Sequence, residues 1–450
     1  MQTYLDEQRN FYKTGVTHTY TFRKNQLIKL KNAIIAHEDD IKDALKKDLN
    51  KSSFEAYSTE IGFCLYSISK TLKKLKRWMK PKRVKTPIYM PFTKSYIRHE
   101  PLGSVLIIGP YNYPFQLVIE PLIGVIAAGN TAIIKPSEMT SNTEKIISKI
   151  ITDTFNPSYI RAVTGDHVVA KELTSLQFDH IFFTGSERVG QMVYEAASKN
   201  LVPVTLELGG KSPTIVTESA QIDSSAKRIV FGKFINAGQT CIAPDYIFVH
   251  HKIKDAFTKA LIKYTKLMYD DPTAFGQIVN LNNFERISQL IDKNKVIHGG
   301  QTDQKTRYIS PTILDNVTKE DDVMASEIFG PILPIMGYDD IQDVISYINT
   351  GKKPLALYLF TTDKALEDMI LTHVPSGGAA INETILHVAN ANLPFGGVGS
   401  SGFGKYHGKA SFDCFSNQKG YIKKSPYFDL PVAYPPYDKK QEKLVKKILK

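Results

Sequence analysis

Short apolar segments alternate with helical stretches beyond Pro101, and this alternation limits the folds open to the chain more than any other feature. The strand-like segments are residues 104–108, 130–134, 160–163 and 180–183, and the helical stretches between them are residues 115–128, 143–155 and 168–176. The strands are almost continuously apolar, which is typical of a parallel sheet covered by helices on both faces. The sequence therefore predicts a doubly wound α/β domain whose ligand lies at the carboxyl ends of the strands.

A glycine-containing turn follows the fourth predicted strand. We expect a helix to begin at Gln191 and the amides at its start to bind a pyrophosphate, because a helix N-terminus attracts anions. The residues of this turn are Thr184, Gly185, Ser186, Glu187, Arg188, Val189 and Gly190. They lack the Gly-x-Gly-x-x-Gly fingerprint, so they indicate a dinucleotide only through their place after the sheet.

Lys135 and Glu138 follow the second predicted strand, in the segment Lys135-Pro136-Ser137-Glu138. They offer a cation and a carboxylate to the ribose hydroxyls of an adenosine. A lysine tolerates a 2′-phosphate whereas an acidic group repels it, so these residues leave NAD and NADP both open.

A thiol and a carboxylate lie in two further glycine-flanked segments. Cys241 follows Gly238-Gln239-Thr240, between a helix predicted over 223–236 and a strand predicted over 246–250, and Glu207 opens Glu207-Leu208-Gly209-Gly210-Lys211. A loop thiol at a helix end is placed to face a cleft. Because a free thiol has a pKa of about 8.5, a neighbouring group must help it to react, and the pairing suits a transient covalent intermediate.

The composition indicates the cellular compartment and the general class of protein. The chain has 450 residues, 42% of them apolar, and three widely spaced cysteines, Cys64, Cys241 and Cys414, which suit neither a disulfide framework nor a metal site. The first residues lack the order of a signal peptide, so we expect a soluble cytoplasmic protein. Helical spacing predicts scaffold helices over 23–48 and 54–78.

The formal net charge is +12, and much of the excess lies in local runs of lysine at 73–85 and 438–450. Neither run is interleaved with aromatic stacking residues, so a solvated surface is favoured over a nucleic-acid site. The C-terminal run places Leu444, Val445 and Ile448 on one helical face. It is interpreted as an exposed basic tail, with weak peripheral contact to an anionic membrane as the alternative.

Seven motifs occur in the order of one known enzyme family. They are Pro110-Tyr111-Asn112-Tyr113-Pro114-Phe115, Ile134-Lys135-Pro136-Ser137-Glu138, Phe183-Thr184-Gly185-Ser186, Glu207-Leu208-Gly209-Gly210-Lys211, Gly238-Gln239-Thr240-Cys241, Glu327-Ile328-Phe329-Gly330-Pro331 and Leu393-Pro394-Phe395-Gly396-Gly397-Val398-Gly399. With them the chain resembles the aldehyde dehydrogenase superfamily, most closely its class-3 and fatty-aldehyde branch in bacteria.

The resemblance implies the chemistry of the site. Cys241 would attack the aldehyde carbon, the Asn112 side chain and the Cys241 amide would bind the oxyanion, and Glu207 would activate the water that hydrolyses the thioester. Glu327 would hold the nicotinamide ribose and Phe329 would pack near its ring. The cofactor would be NAD, with NADP possible, and no metal is expected. The run 399–404, which mimics a phosphate loop, is interpreted as close-packed backbone.

The resemblance also implies an aldehyde dehydrogenase fold in three parts. We expect a Rossmann-like cofactor domain over 1–82 and 100–208, an α/β catalytic domain over 209–405 and a small β oligomerisation arm over 83–99 and 406–427, followed by the basic tail 428–450. Exposed strand edges in the arm predict a homodimer.

The aldehyde and the fate of the acyl group are less constrained. Four aromatic residues suggest an apolar entrance for a medium or long aliphatic, aromatic or polyene aldehyde: Tyr111, Tyr113, Phe115 and Phe395. An acylating dehydrogenase that transfers the acyl group to coenzyme A is the nearest alternative, although it needs no water-activating Glu207. A non-catalytic protein of the same fold is the third.

Overall fold

The computed structural model describes residues 1–429 and 434–449. Its N-terminal part is helical, with helices Gln2–Lys13, Tyr20–Ala36, Glu38–Leu49, Ser53–Ala56 and Gly62–Trp78 and a π-helical turn at Tyr57–Ile61. The first of these helices was not predicted from the sequence. The helix predicted over 23–48 is divided at His37, and the one predicted over 54–78 is interrupted by the π turn.

A six-stranded sheet forms the first α/β unit. Its strands, in spatial order, are Gly402–Phe403, Val204–Leu208, His180–Gly185, Ser104–Ile108, Thr131–Lys135 and Ile160–Ala162. All neighbouring pairs are parallel except the first. The helices Gln116–Ala128, Ser141–Thr154, His167–Thr174 and Glu187–Ser198 connect them. The doubly wound sheet predicted from the sequence is therefore present.

The chain order of these strands reverses between His180–Gly185 and Ser104–Ile108. In an open α/β sheet such a reversal leaves a crevice at the carboxyl ends of the two strands. The segments that leave these strands contain Asn112 on one side and Ser186 on the other. Two of the predicted functional segments thus border one crevice.

A seven-stranded sheet forms the second α/β unit. Its strands, in spatial order, are Val296–His298, Thr312–Leu314, Ile332–Tyr338, Tyr246–His250, Pro213–Val216, Ala356–Phe360 and Gly378–Ile381. Its helices are Ile222–Phe234, Lys254–Tyr269, Leu281–Ser288, Asp322–Ala325, Ile341–Thr350 and Lys364–His373, and a two-stranded ribbon pairs Thr302–Asp303 with Tyr308–Ile309. The central strands are fully buried, so they read as continuous apolar runs.

A third sheet has three antiparallel strands, none of which pairs with a strand of the two α/β sheets. It is built from Lys82–Val84, Thr93–Pro101 and Ser416–Lys424, with the middle segment at its centre. Eight of the nine residues of Ser416–Lys424 are exposed. The short helix Lys409–Cys414 precedes this strand.

The C-terminal segment contains the helix Lys439–Ile448, capped by Asp438. Leu444, Val445 and Ile448 are each more than 40% exposed, so the described part of the chain leaves this apolar stripe uncovered. Within residues 1–429 and 434–449, no helix combines the length and the apolar character needed to cross a bilayer. Of the tail predicted over 428–450, residues 430–433 and 450 lie outside the described part.

Candidate active site

Cys241 is positioned by an unusual turn after the helix Ile222–Phe234. Asn236, Ala237 and Gly238 have φ angles of 54°, 52° and 72°, so three consecutive residues are left-handed. A Cβ atom on Gly238 would lie 2.3 Å from the carbonyl oxygen of Gly330, which leaves room for glycine alone. Left-handed backbone costs about 1–3 kcal/mol per non-glycine residue and tends to persist at functional sites.

Cys241 lies at the wall of a cavity of about 380 Å³. Most of the lining is apolar or aromatic, and the exposed side chains of Phe54 and Leu386 form its rim. The remaining apolar and aromatic lining residues are Phe63, Tyr113, Leu117, Phe231, Ile235, Ile242, Tyr269, Ile385, Val388, Ala389, Phe395 and Tyr406. The cavity has the size and character of a small-molecule site.

Two of the four predicted entrance aromatics line this cavity, and two do not. Tyr113 and Phe395 are among the lining residues. Phe115 is fully buried in the core, where it precedes the helix Gln116–Ala128, so its expected place at the entrance is wrong. The Tyr111 ring instead meets the Phe329 ring edge to face, with centroids 5.8 Å apart, and so lies on the side expected for the cofactor.

Asn112 is held against the cysteine loop. Its side-chain Nδ2 donates to the carbonyl oxygen of Gln239 at 3.0 Å, two residues before Cys241. Its own carbonyl oxygen accepts a hydrogen bond from Asn236 Nδ2 at 2.8 Å. Since an amide nitrogen carries two hydrogens, Asn112 keeps one N–H for an oxyanion beside the sulfur.

Glu207 is a buried carboxyl without a fixed partner. It is 3% exposed, and neither of its oxygens has a hydrogen-bond partner among the described residues. Burial raises the pKa of Glu207 well above its ordinary value, and the positive charge of Lys405 acts in the opposite direction. A carboxyl group with a raised pKa is suited to take up a proton near neutral pH.

The Cys241 thiol is partly buried and lies within the electrostatic reach of two acidic groups. Burial raises the pKa of Cys241 most, followed by the charges of Glu327 and Glu207, while the backbone amides of Cys241 and Ile242 lower it. The predicted residues Glu207 and Glu327 are therefore both close enough to Cys241 to influence its ionisation. The thiolate forms most readily when both carboxyl groups are neutral.

Glu327 lies against the glycine pair that follows Glu207. A Cβ atom on Gly209 would lie 2.1 Å from Glu327 Oε2, so this carboxyl occupies the space that any other residue at 209 would fill. Burial and the charge of Asp245 raise the pKa of Glu327 to about 8. The loop that carries Glu327 is tied down by Lys211, whose ammonium pairs with Asp245 and donates to the carbonyl oxygens of Val323 at 2.8 Å and Ser326 at 3.0 Å.

The helix after the fourth strand begins earlier than predicted, at Glu187 and not Gln191, because Ser186 caps it. Ser186 Oγ accepts from Val189 N–H, and Gly190 N–H donates to the Ser186 carbonyl at 2.9 Å. The amides of Val189 and Gly190 are therefore used within the helix, which leaves those of Glu187 and Arg188 for an anion. Gly185 ends the strand and the Thr184 hydroxyl is buried without a hydrogen-bond partner among the described residues.

Lys135 and Glu138 lie at the carboxyl end of Thr131–Lys135, two strands from Ser186. The Lys135 ammonium contacts the Glu138 carboxylate at 2.7 Å. Lys135 is buried whereas Glu138 is partly exposed, so the carboxylate keeps a free oxygen towards solvent. Both can reach a ligand that spans this edge of the sheet.

The groups along this edge fit a nicotinamide dinucleotide. Ser186, Glu187 and Glu327 share a second cavity, of about 430 Å³, with Gly209 and Gly210. The Thr184 hydroxyl and the Glu207 carboxyl add buried polar atoms without a hydrogen-bond partner among the described residues. No described residue lines both this cavity and the apolar one, and Cys241 lines the apolar one.

Several residues of the site were not predicted from the sequence. Lys405 faces Glu207, and Asn236 holds Asn112. Glu55 lines the apolar cavity with one carboxylate oxygen buried and unpartnered among the described residues. The buried ion pair of Lys51 and Glu60 contacts the Asn112 segment. Of these, only Lys405 has a local signal, because it follows the glycine run 399–404.

The doubly wound sheet and the site at its edge define a nicotinamide-dependent oxidoreductase. The chain belongs to the aldehyde dehydrogenase family, whose model matches residues 10–421. It is 51% identical over 437 residues to the 4,4'-diaponeurosporen-aldehyde dehydrogenase of Staphylococcus aureus, covering 96% of this chain and 95% of that protein. It is 42% identical over 429 residues to aldehyde dehydrogenase family 3 member A2 of Pongo abelii, covering 94% and 88%.

Among solved structures, the substrate-bound state of Staphylococcus aureus AldH superposes with a TM-score of 0.98 at 50% identity, covering 100% of this chain and 99% of that one. The resemblance predicted from the seven motifs is therefore confirmed, as is the aldehyde dehydrogenase fold. The protein is an NAD(P)-dependent aldehyde dehydrogenase that oxidises an aldehyde.

Proposed function

We propose that the protein oxidises long, apolar aldehydes to carboxylates through a thioester on Cys241 that Glu207-activated water hydrolyses. The observation that carries this proposal is the position of Cys241, at the wall of a deep apolar cavity and within the electrostatic reach of two carboxyl groups. Burial of the Glu207 carboxyl without a hydrogen-bond partner among the described residues is energetically unfavourable. A protein that used the fold only for binding would have no need for such a group.

In the first step, Cys241 Sγ attacks the aldehyde carbon. The oxygen that becomes negative is stabilised by the free N–H of Asn112 and by the Cys241 amide. The two sources of positive potential at the sulfur, the amides of Cys241 and Ile242, favour the thiolate that begins the reaction. When bound, the nicotinamide supplies the acceptor for the hydride that leaves the carbon.

In the second step, Glu207 takes a proton from water and the water oxygen attacks the thioester carbon. The carbon–sulfur bond then breaks, which releases the carboxylate product and returns Cys241 as a thiolate. The raised pKa of Glu207 suits it to hold that proton near neutral pH. Glu327 and Phe329 would hold the nicotinamide end of the cofactor, Glu187, Arg188 and Ser186 the pyrophosphate, and Lys135 with Glu138 the adenosine ribose. The unpaired oxygen of Glu138 favours NAD, since it would repel a 2′-phosphate.

The chemistry is tested with two variants and a control. Cys241→Ala should form no reduced cofactor, whereas Glu207→Gln should form about one equivalent per site and then slow by about 10²–10⁴-fold, because the acyl group stays on the sulfur. Mass spectrometry of the stalled Glu207→Gln protein should detect the acyl adduct. Cys64→Ala, which removes a thiol buried in the core, should keep its turnover.

Two results would contradict the mechanism. Steady turnover by Cys241→Ala would exclude the covalent intermediate. Faster reduced-cofactor formation by the unmodified enzyme when coenzyme A is added, with an acyl thioester as product, would replace hydrolysis by acyl transfer.

The substrate class is tested with a series of aldehydes. The apolar lining and the name of the Staphylococcus aureus relative both support a long aliphatic, aromatic or polyene chain. Since each buried methylene contributes about 0.8 kcal/mol, kcat/KM should rise by about fourfold per carbon until the cavity is filled. Steady-state kinetics from acetaldehyde upward, with both NAD and NADP, measure this, and a preference for acetaldehyde would overturn it.

The assembly and location follow from the same features. We propose a homodimer that pairs through the three-stranded arm, supported by the exposed strand Ser416–Lys424. The three free thiols support a reducing cytoplasm. The exposed apolar stripe on Lys439–Ile448, surrounded by lysines, supports weak contact of the tail with an anionic membrane.

A further inference from the structure

A buried ion pair lies behind the oxyanion site and takes no part in the mechanism above. The ammonium of Lys51, just after the helix Glu38–Leu49, pairs with the carboxylate of Glu60 in the π turn Tyr57–Ile61. Both side chains are 0% exposed. A buried pair of this kind is seldom a net source of stability, because both charges lose their hydration. Its contacts with other parts of the chain therefore indicate its role.

Both members of the pair bind the segment that contains Asn112. Lys51 Nζ donates to the carbonyl oxygen of Asn112 at 3.1 Å and lies 4.0 Å from the centroid of the Tyr113 ring. Glu60 Oε2 accepts from the backbone N–H groups of Phe115 at 2.9 Å and Gln116 at 3.2 Å. The pair thus fixes both ends of residues 112–116, at the N-terminus of the helix Gln116–Ala128.

The cysteine loop holds the same residue from the other side. Asn236 Nδ2 donates to the carbonyl oxygens of Asn112 at 2.8 Å and Gln239 at 3.1 Å, and Asn112 Nδ2 donates to Gln239 at 3.0 Å. The backbone of Asn112 is therefore bound by one ammonium and one amide, and its side chain by the loop of the nucleophile. Without Lys51, the hydrogen bonds left to Asn112 among the described residues would be those with Asn236 and Gln239 of the cysteine loop.

We propose that Lys51 and Glu60 are positioning residues that hold the Asn112 amide at the oxyanion. This inference rests on the role of Asn112 in the proposed function. A displacement of about 1 Å in a group that stabilises a transition state can reduce the rate by about 10²-fold. Neither Lys51 nor Glu60 is among the described residues that line the cavity beside Cys241, so the pair does not contact a substrate there directly.

The test is a double-mutant cycle between the pair and Asn112. Lys51→Met with Glu60→Gln removes both charges, so that no buried charge is left unpaired. In the enzyme with Asn112, this double variant should lower kcat/KM for the aldehyde by about 10–100-fold, while the Kd of the cofactor changes by less than about twofold. In the Asn112→Ala background, the same two changes should cost less than about twofold, because the amide that they position is absent.

Glu120→Gln is the matched control. Glu120 is a buried glutamate on the helix Gln116–Ala128 that accepts from Ser67 Oγ at 2.8 Å and has no bond to residues 112–116. This change should leave kcat/KM unaltered in either background. If the double variant is not folded by circular dichroism, Lys51→Arg keeps the charge pair with a different donor geometry and should show the same dependence on Asn112 with a smaller loss.

Each outcome has a defined meaning. An equal loss of kcat/KM in both backgrounds, or no loss with Asn112 present, would overturn the positioning role and leave the pair a structural element. If Asn112→Ala alone keeps full activity, the assignment of Asn112 to the oxyanion is wrong. This failure of the proposed function is distinguishable from a failure of the positioning role, because the single variant leaves Lys51 and Glu60 unchanged.

Discussion

Glu207 and Lys405 flank the same glycine at the base of the site. A Cβ atom on Gly396 would lie 2.7 Å from Glu207 Oε1 and 3.1 Å from Lys405 Cδ. The Lys405 ammonium donates to the carbonyl oxygens of Gly377, at 3.1 Å, and Gly396. Burial lowers the pKa of Lys405 while the charge of Glu207 raises it. The lysine thus lies beside a carboxyl group whose pKa is raised by burial and lowered by the charge of the lysine.

Removal of this charge should shift the pH dependence of turnover. The other ionisable groups near Glu207 are Cys241, Tyr406 and Cys414, and none of them is a cation. Because Lys405 lowers the pKa of Glu207, Lys405→Met raises it further, and Glu207 must lose its proton before it can activate water. The acid limb of the kcat profile should therefore move to higher pH.

The measurement is kcat between about pH 6 and about pH 9. Exposed lysines stay charged over this range, because the ordinary pKa of lysine lies above it. Lys405→Met should lose activity mainly at the acid end and recover it as the pH rises. Lys259→Met, which removes an exposed lysine on the helix Lys254–Tyr269, provides the baseline. A uniform loss at every pH would show that Lys405 does not act through Glu207.

At the scale of elements, the left-handed turn at 236–238 joins the helix Ile222–Phe234 to the nucleophile. Gly238→Ala should destabilise it, because the added Cβ would meet the Gly330 carbonyl and the φ of 72° suits glycine. We expect a loss of about 1–3 kcal/mol in the free energy of unfolding and a fall in kcat, since Cys241 is three residues away. Urea unfolding with steady-state kinetics measures both.

Gly420→Ala is the matched control for this prediction. A Cβ atom on Gly420, in the strand Ser416–Lys424, would meet no atom within 4 Å, and its φ is not left-handed. This variant should keep the stability and activity of the parent protein. Equal behaviour of the two alanine variants would mean that the turn tolerates a side chain and stores no strain.

The elements of the cofactor sheet were predictable because their signals are local. The predicted strands 104–108 and 246–250 match the structure at both ends, and 130–134 is displaced by one residue. Each is a β-branched apolar run bounded by turn-forming residues. The helix after the fourth strand was placed four residues late, because Gly190 was interpreted as part of the turn whereas it packs on Leu208 inside the helix.

The parts of the site that were not predicted depend on contacts between distant residues. Lys51 and Asn112 are 61 residues apart, and the sequence around Lys51 has no feature that distinguishes a buried lysine from a solvated one. Phe115 was placed at the entrance because a motif gives residue types but not the direction of a side chain. Tyr113 and Phe395, which were chosen by the same reasoning, do line the apolar cavity. A motif therefore indicates which residues lie near the site, and the packing decides which side chains line it.

At the scale of the whole molecule, the arm sheet and the loop before its central strand expose large apolar side chains. Ile422 is 57% exposed on the edge strand, and Ile88, in the loop before the strand Thr93–Pro101, is 92% exposed. Large exposed apolar side chains beside an open strand edge are typical of a subunit interface. We therefore expect the dimer to depend on them.

Charges at these two positions should separate the subunits. At about micromolar concentration, the variant with both Ile88→Lys and Ile422→Lys should sediment as a monomer, whereas the parent protein should sediment as a dimer. The reason is that burial of an ammonium group at an interface costs several kcal/mol. Leu267→Lys, at a position 73% exposed on the helix Lys254–Tyr269, should leave the coefficient unchanged. A parent protein that sediments as a monomer would remove the basis of the proposal.

The lining of the apolar cavity also bears on how turnover ends. Among the described residues that line it, Glu55 is the single charged one, and there is no lysine, arginine or histidine. An uncharged aldehyde enters such a cavity readily, but the acid formed from it is an anion that finds no counter-ion among the described lining residues. The product is therefore expected to bind less tightly than the substrate, which would limit inhibition of the enzyme by its own product.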